Sequence, residues 1–497
     1  MDSTLKKSKT LRFGKCNRED GLSCLPDELI CQILSLLPTK DAAVASLSSK
    51  KMRSAFTQLT ALDFDDSPIS YCARNNPLFV DDFQLFKTFV SNVLQASQSP
   101  HLSRFRIGFG GDFNIIQLHI REPSRVCGST CFPHVESTIL NSWIAFPLNH
   151  SGIREIDLRI HVRNPGKLPS ALFACQTLEV LKLNTNLDFE LVSSMSSFSL
   201  PNLKVLQLRS ILIPEDDFVS RLVSSCPSLV ELYMRCWWKY GNSVTISSPS
   251  LRKLTLIFNR DEEYLDLCNI DTPNLQCFKY RDLLGLHYSI PSMKVLVQAS
   301  FHVWDILHTQ RESLDSVLRL VTAVSNVQRL TLANSIVEVL DCEESKNLLP
   351  VFHNLRHLKL GHDGTTKWDR VLLEILKSSP LLETLGFPKG CDSGPIFCLD
   401  GSSYEDSNLE LDLERQFFRK NHEPPPCCKS FLKRIYIKKC WGLEQEVEFV
   451  SFLLKIALVL EELLIICEEH DWVDKPSFES RLKKLPKASS TCLIIVH

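Results

Sequence analysis

Apolar residues recur along this chain with two different periods. Near the N-terminus the period is helical: Leu25, Leu29, Ile33, Leu36 and Leu37 return at the spacing that shares one helix face. Pro26 suits a first helical position, where its missing N–H has no partner anyway. Asp27 and Glu28 follow in the first turn, beside the positive end of the helix dipole. Pro38 ends this helix, and Thr39 is the expected N-cap of a second. From Leu178 the pattern changes to short alternating runs. Leu178-Glu179-Val180-Leu181-Lys182-Leu183 is the first, and similar units start at Leu203, Leu229, Leu251 and Leu275. Their intervals are 25, 26, 22 and 24 residues, within the range of leucine-rich repeats. Further units start at Val327, Leu355 and Leu382, with a weaker one at Met293.

Most of the early units follow a Pro-x step such as Pro201-Asn202, Pro227-Ser228 or Pro249-Ser250. Proline ends a preceding helix, and the chain leaves it extended. Phe218, Val219, Leu222 and Val223 share a helix face between two units, as do Leu372, Ile375 and Leu376. One strand and one crossover per repeat predict an α/β fold: an irregular solenoid with a curved parallel sheet and inward-pointing leucines. The lead-in reads as a helix at 83–94, a strand at 105–107, a helix at 133–145 and a strand at 153–158. After Gly390 the period fails, and Gly, Pro and Ser with an acid-rich run mark a linker or insertion. It resumes as a strand at 431–437, a turn at Gly442, a helix through Phe449, Leu453, Ile456 and Leu460, and strands at 460–465 and 492–496. A terminal cap is expected here, because the open end of a solenoid must be covered. The expected division is a flexible basic tail at 1–19, a helical unit at 20–62, repeats at 63–390, a linker at 391–425 and the cap at 426–497.

A unit of about 40 residues is too small to bury a good core alone, so its apolar face asks for a partner. The motifs Leu25-Pro26-Asp27-Glu28-Leu29, Ile33-Leu34-Ser35, Leu37-Pro38-Thr39-Lys40 and Leu47-Ser48-Ser49-Lys50-Lys51 resemble an F-box of the plant F-box/leucine-rich-repeat type. The strand, turn, acidic helix and strand near the C-terminus resemble the FBD domain that follows the repeats in such proteins. The resemblance implies docking to a Skp-type adaptor and, through it, to a cullin–RING ubiquitin ligase. Leu25, Pro26, Leu29, Ile33, Leu36, Leu37 and Pro38 match the positions that carry or support that contact. It also implies a non-catalytic substrate receptor whose repeats hold a target protein. Met52 stands where the family usually has Trp, and a flexible gap-filler there predicts weaker docking.

Composition narrows the classes. The chain has 497 residues, 44% hydrophobic and 23% charged, with net charge −2, which fits a globular protein and argues against bulk nucleic-acid binding. No run reaches the roughly 18 apolar residues of a spanning helix, and residues 1–20 lack the apolar core of a signal peptide. A location in the cytoplasm, the nucleus or both is therefore expected, with no membrane partner. The 19 cysteines are scattered, often at apolar positions, and read as reduced buried hydrophobes. No phosphate loop, nucleophile elbow or paired metal-ligand motif occurs, so neither cofactor nor metal is expected.

The remaining candidate chemistry is charge. Strand positions flanking the inward leucines should face the concave side of the sheet. They carry Lys182, Arg209, Tyr233, Arg235, Lys253, Lys279, Arg281, Arg329, His357 and Lys359, with Gln207, Thr255 and Thr331 between them. Eight are Lys or Arg, and Glu231 is the one acid at an equivalent position. This local excess predicts recognition of an acidic or phosphorylated segment through charge-assisted hydrogen bonds. A repeat scaffold without a ligase link, and a receptor for a small anionic ligand, are the alternatives.

Overall fold

The computed structural model describes residues 25–66, 79–110, 132–189, 198–213, 217–238, 243–258, 267–283, 288–289, 293–304, 310–340, 345, 348–361, 369–388, 423–469 and 474–497. The basic tail, the first residues of the helical unit and nearly all of the 391–425 insertion lie outside them. The chain forms two compact units, residues 1–211 and 212–497.

The first unit begins with three short helices, α1 (Asp27–Ser35), α2 (Thr39–Ser46) and α3 (Lys50–Thr57). Two end positions differ from the sequence reading. Pro26 precedes the first helical residue, and Thr39 lies inside α2 rather than capping it. Thr39 is buried, and its Oγ1 accepts from the Asp63 N–H at 2.7 Å, tying α2 to the first strand. Among the described residues, five parallel strands of the main sheet follow: β1 (Ala61–Asp65), β2 (Arg104–Phe109), β3 (Glu155–Ile160), β4 (Val180–Thr185) and β5 (Val205–Ile213). Helices α4 (Phe79–Ala96) and α5 (Ser137–Ala145) cross between them. The sequence placed the start of α5 at Pro133, but Glu136 has extended backbone and the helix starts after it. Register aligns Leu62, Phe105, Ile156, Leu181 and Leu206 side by side. All five are buried, each worth about 1.5–3 kcal/mol of burial. Phe109 meets the buried Trp143 of α5 edge-on, with centroids 5.9 Å apart.

Beside a small three-stranded sheet at Ser243–Ser247, Leu267–Asp271 and Tyr288–Ser289, the main sheet of the second unit carries, among the described residues, ten parallel strands in chain order. They are β6 (Glu231–Trp238), β7 (Lys253–Phe258), β8 (Cys277–Leu283), β9 (Gln298–Trp304), β10 (Arg329–Leu332), β11 (His357–Leu360), β12 (Thr384–Phe387), β13 (Arg434–Cys440), β14 (Glu462–Cys467) and β15 (Leu493–Val496). One buried ladder runs through Leu232, Leu254, Phe278, Ala299, Leu330, Leu358, Leu385, Ile435, Leu463 and Ile494. Period-two alternation sends the residues between them to the opposite face.

Crossover helices include α6 (Phe218–Ser224), α7 (Gln310–Ala323), α8 (Asn334–Leu340), α9 (Asp369–Lys377), α10 (Pro426–Ser430), α11 (Glu444–Ile456) and α12 (Lys475–Lys483). Helix α11 stops at Ile456, short of the expected Leu460. Ala457 turns extended, and the Leu458 N–H is held by the Cys428 carbonyl at 2.9 Å. Helix α12 was missed in the sequence, although Asp474 and Pro476 are a start signal. Asp474 Oδ1 caps it by accepting from the Ser477 N–H at 3.1 Å. The described cysteines are unbridged and mostly buried.

Candidate functional site

Two surfaces carry the residues singled out in the sequence. The first is the outside of the helical unit. Ile30, Leu34, Ala42, Met52, Ala55 and Leu59 fill its interior. The apolar stripe read from the sequence lies on the other side. Leu29 is 44% exposed, Ile33 40% and Leu36 79%, and Leu37, Pro26 and Pro38 are also exposed. Leu25 is half-buried. Val44, and Leu47 of the quoted motif, were not among the expected contact residues, yet they add 64% and 71% exposure on and just after α2. The helical period that signalled α2 was too short to show which side of it would be covered.

Met52 faces inward, and its N–H donates to the capping Ser49 Oγ at 3.1 Å. Its departure from the family pattern therefore bears on packing inside the helices. Lys51 pins the start of α1, donating to the Leu25 carbonyl at 2.5 Å and lying 3.3 Å from Asp27. Leu36 also borders a cleft of about 610 Å³ whose other walls include Ala61, Arg104, Glu155 and Val180.

The second surface is the sheet face opposite the buried ladder. In the first unit it is not the basic strip expected from the repeats alone. Asp63, Arg106, Asp157, Lys182 and Gln207 are aligned in one row. Arg106 lies 3.3 Å from Asp63, 3.6 Å from Asp65 and 3.8 Å from Asp157. Arg159 pairs with Asp157 at 2.9 Å, and Lys182 with Glu155 at 3.1 Å. The acids come from β1–β3, before the point where the repeat pattern becomes legible. Burial raises the Asp63 carboxyl above its usual range, against the pull of Arg106 and Arg104. Arg209 is exposed on β5, two residues beyond Gln207.

In the second unit the rows are more basic. One runs Glu231, Lys253, Cys277, Gln298, Arg329, His357, Thr384, Arg434 and Glu462. The next runs Tyr233, Thr255, Lys279, Ser300, Thr331, Lys359, Gly386 and Tyr436. Arg235 and Arg281 stand in a third, separated by Ile257. Lys253 is partly answered by Glu231 at 3.8 Å. Among the described residues, no carboxylate lies within 4 Å of Lys279, Arg329, Lys359 or Arg434. Burial lowers the His357 imidazole, and the charges of Arg329, Arg434 and Arg356 push it down further against Glu383. Burial likewise pulls Arg281 below its ordinary value. Arg434 was not among the sequence candidates, because the insertion before it breaks the repeat period. Among the described residues no group of His, Cys, Asp and Glu could hold a metal, and no helix is long and apolar enough to cross a membrane.

A short helical unit with an uncovered oily face, followed by a ladder of leucine-rich strands, is the layout of an F-box protein with leucine-rich repeats. Three family models match in that order: the F-box domain at residues 22–60, the LRR repeats of an FBD-associated F-box protein at 140–300, and FBD at 420–465. The chain belongs to the F-box/LRR-repeat family, with an FBD segment after the repeats. It is similar to F-box/LRR-repeat protein At3g59210 of Arabidopsis thaliana, with 28% identity over 95% of this chain and 93% of the relative. It is also similar to F-box/LRR-repeat protein At1g06630 of the same plant, with 31% identity over 74% of this chain and 84% of the relative.

Proposed function

We propose that this protein is the target-recognition subunit of a Skp–cullin–F-box ubiquitin ligase. The observation that carries the reading is the outward apolar face of α1 and α2, with Leu29, Ile33, Leu36, Val44 and Leu47 all exposed. Single exposed leucines are ordinary, but a contiguous patch on a small helical unit is a docking surface. A Skp-type adaptor covers Leu25, Pro26, Leu29, Ile33, Leu36, Leu37 and Pro38 and connects the chain to a cullin–RING ligase. The repeat strands then continue as a solenoid that holds the target, the FBD segment closes its end, and ubiquitin transfer happens elsewhere in the assembly. The protein itself is non-catalytic and acts in the cytoplasm, the nucleus or both. In this reading the sheet face of the second unit is the target surface, and its basic side chains select an acidic or phosphorylated segment.

Substituting Leu29→Asp together with Ile33→Asp places two charges in the docking face without touching Ile30 or Leu34 in the interior. Co-purification with a Skp-type adaptor is expected to fall at least tenfold, while the circular dichroism and melting temperature stay near those of the parent chain. Equal recovery of the adaptor by the parent chain and the double variant would sink the docking proposal.

A further inference from the structure

The FBD segment stands in the sequence as a cap, yet its first strand supplies side chains to the most basic part of the target face. Strand β13 is in register with β12, so Arg434 follows Arg329, His357 and Thr384 in one row. Neighbouring strands lie about 4.8 Å apart, so Arg329 and Arg434 are roughly 14 Å apart at the backbone. Two extended guanidinium side chains can converge over the His357–Thr384 centre from that distance. Both already act electrostatically on His357. Thr384 Oγ1 is buried and makes no hydrogen bond to the described residues, an unpartnered donor beneath the middle of the row.

The neighbouring row adds shape. Gly386 lies between Lys359 and Tyr436. A Cβ placed on Gly386 would collide with Cζ and Oη of Tyr436, so the phenol end of that ring occupies the space over this glycine. Tyr436 thus leans across β12 toward the repeat strands and is half-buried there. Among the described residues, Glu383 pairs with Arg356 and Glu462 is the register partner of Arg434. Neither lies within ion-pair distance of Arg329 or Arg434. Among the described residues the arrangement is therefore short of negative charge, and its donors are arranged for an oxyanion.

We propose that Arg329, His357, Thr384 and Lys359 of the repeats and Arg434 and Tyr436 of the FBD segment form one composite site for an oxyanion-bearing side chain of a target protein. It deepens, and rests on, the reading of the second-unit sheet as the target face. The arginines bind the oxyanion in bidentate fashion, the threonine hydroxyl donates from below, and the tyrosine ring walls the site. A carboxylate and a phosphoryl group share this chemistry, and the test separates them.

The full chain, co-purified with its adaptor, is immobilised and offered three degenerate nonapeptide libraries whose central residue is fixed as serine, glutamate or phosphoserine. Retention of at least one anionic library is expected to exceed that of the serine library about tenfold. Retention of both means that a carboxylate suffices, and retention of the phosphoserine library alone means that phosphorylation is required. Arg329→Glu and Arg434→Glu should each abolish the preference. Gly386→Ala, which displaces Tyr436 without changing charge, should weaken it about threefold. Lys204→Glu, far along the chain in a Lys204–Glu179 pair, should leave it intact. If Lys279→Glu removes the preference while Arg434→Glu and Gly386→Ala do not, the composite site is wrong and the broader basic-face reading stands. If the anionic libraries are retained no better than serine, both are wrong. Circular dichroism and the melting temperature are measured for every variant and separate misfolding of the second unit from loss of the site.

Discussion

Glu446→Ala is expected to destabilise the C-terminal part of the second unit by about 3 kcal/mol, the cost of stranding several buried donors. Glu446 is the third residue of α11 and is almost fully buried. Its Oε2 accepts from the Gly442 N–H at 2.7 Å, the Leu443 N–H at 3.0 Å and the Trp441 N–H at 3.0 Å, and Oε1 lies 3.0 Å from the Trp441 nitrogen. The carboxylate thus satisfies three backbone donors where β13 turns into α11, at the positive end of the helix dipole. This is half of a capping box, since Leu443 has no side-chain oxygen to return the bond. Gly442 turns there with φ at +79°, a conformation that suits glycine. Glu446→Gln retains one acceptor and loses the charge, so a cost of about half is expected. Urea unfolding, with pulsed hydrogen exchange over residues 462–467, measures both. A loss below 1 kcal/mol for the alanine variant would show that water replaces the carboxylate and that the turn does not depend on it.

The first unit should lose about 1 kcal/mol of stability between pH 6.5 and pH 8. Two groups set the sign. Asp66 is buried and beside Asp65, and its carboxyl is pushed up from 3.8 to about 8, burial being the larger cause. The folded chain keeps that proton where the unfolded chain releases it, so stability falls as pH rises through this window. His161 is buried with neither ring nitrogen hydrogen-bonded, and burial lowers it from 6.5 to about 4. The unfolded chain takes up that proton first, so stability falls as pH drops below 6.5. Between pH 4 and 6.5 the two slopes oppose each other. Above 6.5 Asp66 dominates: its slope is close to 1.36 kcal/mol per pH unit until it titrates in the folded chain near 8, and the last His161 proton leaving the unfolded chain offsets a little, for a net fall of about 1 kcal/mol. Asp66→Asn should flatten the fall. Equilibration in urea at each pH, followed by an exchange pulse at one fixed pH and read on residues 104–109, tests this. An equal fall in the asparagine variant would assign the slope to other groups.

The two groups also show why part of this chain was opaque as sequence. Asp66 ends a strand in the apolar phase of Leu62 and Phe64, yet nothing local distinguishes it from the neighbouring Asp65. Its burial arises because the Asp66 N–H joins the Gly108 carbonyl at 3.1 Å, a contact between residues far apart in the chain. His161 continues the solvent-facing phase of Asp157 and Arg159, but it is covered where Gly110 packs on its carbonyl. Glu446 read as one of several acids on a charged helix, and only the turn at Gly442 brings three N–H groups onto it.

Periodicity alone determined the architecture of the described strands. A Leu-x-x-Leu-x-Leu phase admits one way of burying the leucines, and register then follows from their alignment. It also placed Leu29 and Ile33 on one face of α1, but the second apolar face through Ile30 and Leu34 came to light only in the fold. What it left open was which face the rest of the chain covers, and which charges on the sheet remain unanswered. Both depend on neighbours supplied from elsewhere. Acids from β1–β3 neutralise Lys182 and Arg106, whereas β13 brings a further arginine to Arg329 and His357 across an interruption in the repeat. Charge pairing acts between side chains a few ångströms apart in space, and the linear order of residues carries no measure of that distance.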